Sequence, residues 1–228
     1  MRLLAIDAAS KACSAALLTD DKLAYRNDVS EREHGPILIR MINGLLAEAQ
    51  ISLGDLDALA FGCGPGSFTG VRIAAGITQG LAYASKLPVV AVSDLAMLAQ
   101  GVMDEAGAGA VAACCDARMD EAFIGFFERD EDGLARALTA DRLVRPAAIS
   151  LPESSLDWHA TGDGWRVFEG LGGRLGIDPA KQHCERLPDA RFAIALARAK
   201  YLRGEAVTAD RALPVYLRGE VAWQKAGP

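Results

Sequence analysis

The sequence predicts an α/β protein of two lobes, each built on a mixed five-stranded sheet with flanking helices. Short apolar strands joined by turns open the chain, which is typical of a β-meander. Strands then alternate with helical segments, as parallel strands require, and the same layout begins again near the middle of the chain. With 228 residues, of which 51% are hydrophobic, the chain can bury one large core or two modest ones.

The first lobe is expected over residues 1–106. The stretches RLLAID, CSAALLTD and KLAYRND predict three strands joined by turns at residues 8–12 and at Asp20-Asp21. The elements predicted after them are a helix from about Pro36 to Gln50, the strand LDALAFG, a helix from Thr69 to Ser85, the strand LPVVAVS, and a helix from Asp94 to about Met103.

The second, smaller lobe is expected over residues 107–228, after the Gly- and Ala-rich boundary DEAGAGA. Aligning Asp116 with Asp7 places the segment 122–127 on 13–18, so we expect a repeated β-β-β-α-β-α unit. The tail from about residue 208 is expected to pack back on the first lobe. Two such units indicate ribonuclease-H-like lobes, the actin-like ATPase architecture of actin, sugar kinases and large heat-shock chaperones.

The glycine-rich stretch FGCGPGSFTGVRIAAGITQG, residues 61–80, does not fit the known phosphate-binding loops. A G-x-G-x-x-G register that starts at Gly62 needs glycine at Ser67, and one that starts at Gly64 needs it at Thr69. The P-loop lysine is missing, since the next lysine is Lys86. We therefore interpret GCGPG as a rigid turn that sets the angle of the following helix.

Several motifs together resemble the bacterial TsaB (YeaZ) family. They are LLAIDAASKACSAALL, FGCGPGSFTGVRIAAGITQGLAY, VVAVSDLAMLA, CCDARMDEAF and ALPVYLR, and they span essentially the whole chain. The resemblance implies a non-catalytic subunit that pairs with the catalytic subunit TsaD to make threonylcarbamoyladenosine next to the anticodon of tRNA. It further implies that the small ATPase TsaE takes part, that tRNA is bound only through the complex, and that ATP belongs to the partner subunits.

Four residues are candidates for a nucleotide site in an actin-like cleft: Asp7, Asp116, Gly162 and Gly164. Each aspartate ends a strand, but the flexible glycines of a phosphate loop do not follow it. AASK comes after Asp7 and the bulkier ARM after Asp116, so both phosphate loops look degraded. An aspartate that stabilises its own turn is the alternative for Asp7. A plain strand-to-helix turn with Asp163 near the helix start is the alternative for the glycines.

Neither a metal centre nor a nucleophilic site is predicted. His34, His159 and His183 are far apart in sequence, without an i, i+4 pair. The TsaD relatives carry a His-x-x-x-His pair where this chain has Asp94 and Leu98, and leucine cannot ligate a metal. Ser67 and Thr69 lie outside G-x-S-x-G, so we expect them to cap the helix that follows.

Two helices carry more apolar surface than one buried face needs, which predicts a partner surface on them. The alternative is that a loop of the same chain covers the second helix. In the second helix, Gly76, Gly80 and Ala84 recur at i, i+4, a spacing that lets another helix approach closely. The resemblance implies packing against TsaD or a second copy of the chain. The predicted interface residues are Leu38, Met41, Ile42, Leu45, Val71, Arg72, Ala75, Gly76, Gln79, Ala82 and Tyr83.

Composition restricts the location and the function. The start MRLLAIDAAS has neither a signal-peptide h-region nor a spanning helix, and the five cysteines have no C-x-x-C spacing, so a reducing cytoplasm is expected. A net charge of -6 argues against tight binding of tRNA by this chain alone. Two alternatives stay open: a self-sufficient ATPase or phosphotransferase of the same fold, and a homodimeric interaction protein without a role in tRNA chemistry.

Overall fold

The computed structural model describes residues 1–29, 33–153 and 156–218. Two mixed sheets face each other across a shared layer of helices. Among the described residues, no helix combines the length and the apolar content that a membrane crossing requires.

The first sheet has the strand order β3-β2-β1-β4-β5. Strands β1 to β3 form the antiparallel meander, while β4 and β5 continue in parallel from β1. Both β1 and β4 are fully buried apolar runs, as strands covered on both faces should be. The bounds are β1 (Leu3–Asp7), β2 (Ala12–Thr19), β3 (Lys22–Val29), β4 (Ala58–Gly62) and β5 (Val89–Val92), with helices α1 (His34–Glu48), α2 (Phe68–Ser85) and α3 (Asp94–Ala106).

The second sheet repeats this order as β11-β10-β6-β7-β8, with β9 also paired to β7. Strands β6, β10 and β11 are parallel, and β7 is antiparallel to β6. The bounds are β6 (Ala110–Asp116), β7 (Ala122–Arg129), β8 (Ala135–Ala137), β9 (Arg142–Val144), β10 (Trp158–Thr161) and β11 (Gln182–His183), with helices α4 (Gly164–Val167), α5 (Leu171–Arg174) and α6 (Ala190–Leu202).

The predicted fold class is confirmed, and the repeat is less regular than expected. Among the described residues between β9 and β10, a short 3-10 turn at Pro146–Ala148 stands where α1 lies in the first half. The third strand of the second meander is divided into β8 and β9. Asp7 pairs with Ser14 whereas Asp116 pairs with Ala122, so the second hairpin is one residue shorter than the first.

The chain forms five layers. Helices α3 and α6 lie between the sheets, where α3 packs on the second sheet and α6 on the first. Helices α1 and α2 cover the opposite face of the first sheet. The short helices α4 and α5 cover the opposite face of the second sheet. Alternate residues of β1 therefore enter different cores, which fixes the register of the strand.

The segment after α6 returns to the first sheet. Val207 exchanges two backbone hydrogen bonds with Val89, and the amide of Gln79 in α2 donates to the carbonyl of Ala212 at 3.0 Å. The N–H of Val215 then donates to the carbonyl of Cys63 at 2.7 Å. Arg218 forms an ion pair with Glu121 in the β6–β7 hairpin at 2.7 Å, so the tail contacts both halves of the molecule.

Candidate functional site

Asp7 lies where the sequence predicts, at the end of β1, and it stabilises its own turn. Its carboxyl is fully buried, and its Oδ1 accepts the N–H of Ala9 at 3.0 Å. The following loop packs tightly on the start of α2. The N–H of Ser67 donates to the carbonyl of Ala9 at 2.7 Å, and a Cβ at Gly70 would overlap the carbonyl of Ala8. The glycines of GPGSFTG thus serve a close contact between two backbone segments.

The helix after the glycine-rich turn is capped by a side chain of that turn, as expected. Ser67 is the N-cap of α2, because its Oγ accepts the N–H of Gly70 at 3.3 Å. Thr69 lies inside the helix, which begins at Phe68, so the cap is Ser67 alone. Ser93 caps α3 in the same way through the N–H of Ala96.

Asp94, the first residue of α3, meets Asp7 in the interior. Both carboxyls are fully buried, and a Cβ at Gly62 would overlap an oxygen of each. The N–H of Gly64 donates to Asp94 Oδ2. Burial raises the pKa of both carboxyls, and the neighbouring Asp7 raises the pKa of Asp94 further. Sequence reasoning treats Asp94 only as the replacement of a histidine and misses this pair.

Asp116 is held by its own hairpin. Its Oδ1 accepts the N–H of Arg118 at 2.8 Å, and its Oδ2 pairs with the guanidinium of the same residue at 3.0 Å. Arg118, Met119 and Asp120 all have positive φ angles, of 64°, 57° and 55°. Three successive left-handed residues with side chains make this a specifically shaped turn rather than a flexible glycine loop.

Gly162 and Gly164 pack against β6. Gly162 has a φ of 95°, and a Cβ there would overlap the carbonyl of Cys114, while a Cβ at Gly164 would lie 2.5 Å from Cys114 Sγ. Asp163 does not cap α4; its Oδ1 accepts the N–H of Asp116 at 3.0 Å. The structure therefore brings Asp116 and the glycine turn together, and it gives both glycines a packing role.

Cys115 follows Cys114 in β6. Burial raises the pKa of its thiol well above the usual range, and the charges of Asp163 and Asp94 act in the same direction. A thiol that resists ionisation is a poor nucleophile. This explains the vicinal Cys114 and Cys115 as packing residues of β6.

Two of the three histidines contact each other, which the sequence did not reveal. Nδ1 of His159 lies 3.2 Å from Nε2 of His183, and the ring centroids are 5.5 Å apart with planes 5° apart. These distances place both nitrogens on the line between the centroids, so the rings are coplanar and share one N–H···N hydrogen bond. Among the described residues, no third His, Cys, Asp or Glu joins the pair in a group that could hold a metal ion. Burial lowers the pKa of both rings, which favours the neutral pair.

The predicted interface residues divide into two groups. Arg72, Gly76 and Tyr83 are exposed and Gln79 is half-buried, and all four belong to α2. The remaining seven are buried in the protein's own core, so their assignment to an outer surface was wrong: Leu38, Met41, Ile42, Leu45, Val71, Ala75 and Ala82. In α2 both faces are small and apolar, and the helix packs with Ala75 and Ala82 in the core that covers the first sheet, while Val71 is buried beside the glycine-rich turn.

The exposed surface of α2 is nevertheless apolar. We define the α2 outer face as Arg72, Gly76, Gly80, Tyr83 and Ala84, all exposed. Tyr83 is 84% exposed, and no atom lies within 4 Å of an ideal Cβ at Gly76 or Gly80. The half-buried Ile73 and Ile77 adjoin this face, and exposed Ile39 of the neighbouring α1 adds further apolar area.

The sequence is similar to that of known proteins over its full length. The family model described as TsaD, tRNA N6-adenosine threonylcarbamoyltransferase, matches residues 28–223. The tRNA threonylcarbamoyladenosine biosynthesis protein TsaB of Escherichia coli is 38% identical, with 99% of this chain and 98% of that protein covered. The protein of the same name from Haemophilus influenzae is 35% identical, with 99% of this chain and 97% of that protein covered.

Solved structures agree in fold. A crystal structure from Pseudomonas aeruginosa, described as an uncharacterized protein with similarity to peptidase YeaZ, has a TM-score of 0.89 and 43% identity. It covers 95% of this chain and 99% of its own. A structure described as YeaZ from the same organism has a TM-score of 0.88 and 43% identity over the same shares. Full-length similarity in both sequence and fold shows that the chain belongs to the TsaB (YeaZ) family.

Proposed function

We propose that this chain is the non-catalytic subunit that supports a TsaD-type catalytic subunit in the synthesis of threonylcarbamoyladenosine in tRNA. The observation that carries the proposal is the full-length match to proteins named for this biosynthesis. A cytoplasmic location fits a chain whose five cysteines are all free thiols.

A supporting role is consistent with the interior of the molecule. Asp7 contacts Asp94 and accepts a hydrogen bond from the backbone of its own turn, and Asp116 forms an ion pair with Arg118. Leu98, which stands where the TsaD relatives carry a histidine, is buried between the two sheets. The side chains at these places are thus committed to packing and to local hydrogen bonds.

The α2 outer face is the surface that we propose for the partner. This chain matches the TsaD family model over most of its length, so a TsaD-type subunit carries related helices. Two related subunits can pair through corresponding faces in a pseudo-symmetric contact, and a second copy of this chain can occupy the same face. Glycines at 76 and 80 let a partner helix approach closely.

Three further binding partners belong to the proposal: tRNA, a TsaE-type ATPase and a second copy of this chain. With a net charge of -6, this chain alone offers little of the positive surface that tRNA binding requires, so tRNA is bound through the complex. A TsaE-type ATPase joins the same assembly and brings its own ATP. The homodimer is the state of the chain in the absence of its partner.

Reconstitution tests the proposal. Formation of threonylcarbamoyladenosine is measured on an unmodified tRNA transcript with the TsaD-type and TsaE-type subunits and a source of the threonylcarbamoyl group, with and without this chain. We expect modification only when the chain is present, and no ATP hydrolysis by the chain alone. An undiminished rate without the chain contradicts the proposal, as does ATP hydrolysis by the purified chain that Asp7→Ala abolishes.

A further inference from the structure

Two carboxyl groups share one buried position near the centre of the first sheet. Asp7 and Asp94 both have no exposed area, and a Cβ at Gly62 would overlap Asp7 Oδ1 and lie 2.6 Å from Asp94 Oδ1, so the two carboxyls are neighbours. Each receives one backbone donor, from Ala9 and Gly64 respectively. The other two oxygens, Asp7 Oδ2 and Asp94 Oδ1, have no partner with a hydrogen to donate among the described residues.

Two ionised carboxylates cannot be stable in this arrangement. Like charges in contact within a poorly polarisable interior repel strongly, and each also loses its hydration. A hydrogen bond between two carboxyl groups requires a proton on one of them, because a carboxylate only accepts.

Among the residues that the structure describes, the groups that face the pair supply no counter-charge. The pair is faced by Asp189 at the start of α6, by Asp141 in the second half, and by the thiols of Cys13, Cys63 and Cys115. All of these are neutral or negative. The cation of this region is Lys200, whose charge acts on Cys63 and Asp141 and whose ammonium group donates to the carbonyl of Ala91 at 2.9 Å.

We propose that Asp94 is protonated at neutral pH and that its O–H donates to the carboxylate of Asp7, so that the pair carries one negative charge instead of two. Asp94 can carry the proton on Oδ1, which has no donor among the described residues and lies beside Asp7. Burial raises the pKa of Asp94, and the neighbouring charge of Asp7 raises it further.

The protonated pair connects three segments of the chain: the loop after β1, the glycine-rich turn and the start of α3. Asp7 holds the loop after β1 through Ala9, and Asp94 holds the glycine-rich turn through Gly64. That turn leads directly into α2, so the pair also fixes the base of the helix that carries the α2 outer face. This last link, from the proton to partner binding, rests on the function proposed above.

Loss of the proton must destabilise the fold. The pKa of Asp94 is raised in the folded state above its value of 3.8 in the unfolded chain. The folded state therefore holds a proton that the unfolded state has released, and stability falls as the pH rises from 3.8 to the raised pKa. Within that window the unfolding constant increases about tenfold per pH unit for one such group.

The test compares the wild type with Asp94→Asn, whose amide donates to Asp7 without titrating. Urea unfolding is measured at a series of pH values from about 4 to about 9, the range above the ordinary carboxyl pKa. We expect the ratio of the unfolding constants, wild type over variant, to rise with pH and then level off. Asp55→Asn is the control. Hydrogen bonds from Ser52 lower the pKa of that exposed carboxyl, so it is ionised throughout this pH range and its ratio should stay flat. A flat ratio for Asp94→Asn overturns the proposal.

Infrared spectroscopy of the wild-type protein detects a protonated carboxyl group directly, so this test needs no folded variant. We expect a carboxylic acid C=O band at neutral pH that shifts in D₂O and disappears at high pH. If no protonated carboxyl is found at neutral pH, the proposal is wrong. Binding of the TsaD-type subunit is measured over the same pH range. If the carboxylic acid band and the pH dependence of unfolding are found but binding does not change with pH, the protonated pair is supported. Its proposed effect on partner binding is then contradicted.

Discussion

Gly80→Glu should abolish partner binding without harming the monomer. Gly80 is exposed near the middle of the α2 outer face, and no atom lies within 4 Å of an ideal Cβ at this position. The glutamate side chain in Gly80→Glu therefore fits without a steric clash. Glycine inside a helix costs about 0.5–1 kcal/mol relative to alanine, and glutamate is a good helix former. The melting temperature should stay the same or rise by about 2–4 °C, the change expected for 1 kcal/mol in a chain of this size.

The effect on association should be large. If a partner helix covers Gly80, the new carboxylate is buried without a counter-ion, which costs about 3–5 kcal/mol. Because each 1.4 kcal/mol corresponds to about a tenfold change in affinity, pairing should weaken by about two orders of magnitude or more.

Ala82→Glu and Ala147→Glu are the matched comparisons. Ala82 lies two residues away on the buried face of α2, with 1% of its surface exposed, so a carboxylate there should unfold the monomer. Ala147 is exposed in the second half of the molecule, so it receives the same charge far from α2. We expect Ala147→Glu to melt and to bind like the wild type.

The assay combines thermal melting with two binding measurements. Co-elution and titration with the TsaD-type subunit measure the heterodimer, and sedimentation at several concentrations measures self-association. Wild-type affinity in a normally folded Gly80→Glu protein would show that no partner covers this face. A low melting temperature for Gly80→Glu would show instead that this part of α2 is covered by the chain itself.

Three further outcomes can be checked with the same materials. Asp7→Asn should leave the rate of tRNA modification within a few-fold of the wild type, because Asp7 serves the fold; a loss of about a hundredfold, typical of removing a general acid or base, would identify it as catalytic. Protein purified without a metal-affinity tag should contain less than one equivalent of iron or zinc by elemental analysis, since Leu98 replaces a ligand; stoichiometric metal would refute this. Gly70→Ala should destabilise the protein by about 1–3 kcal/mol through its overlap with Ala8, whereas Gly76→Ala should stabilise it by about 0.5–1 kcal/mol in urea unfolding; the reverse order would contradict the packing of α2.

The sequence by itself determined the order of the elements in the first half of the chain, and the family. Fully buried strands such as β1 and β4 are continuous apolar runs, and turn residues separate them, so the strands could be located from the residue pattern alone. Helix caps are equally local: Ser67 and Ser93 each accept a backbone N–H within three residues. Local signals of this kind are complete within a few residues of chain, which is why they could be predicted.

Only the tertiary structure decided which face of α2 is buried. Ala75 and Ala82 are buried in the core that covers the first sheet and Gly80 and Tyr83 are exposed, although both sides of the helix are small and apolar. Hydrophobic periodicity cannot choose between two similar faces. The choice is made by the close fit of Gly70 on the loop after β1, a contact between segments that are distant in the sequence.

Contacts between distant segments also explain the side-chain pairs that the sequence did not reveal. Asp7 and Asp94 meet because β1 and the start of α3 lie at the same edge of the first sheet, and His159 meets His183 because β10 and β11 are parallel neighbours. Each residue alone gives no signal of its partner. The chain thus encodes its elements locally, while the protonated carboxyl pair and the exposed helix face arise only when distant segments pack together.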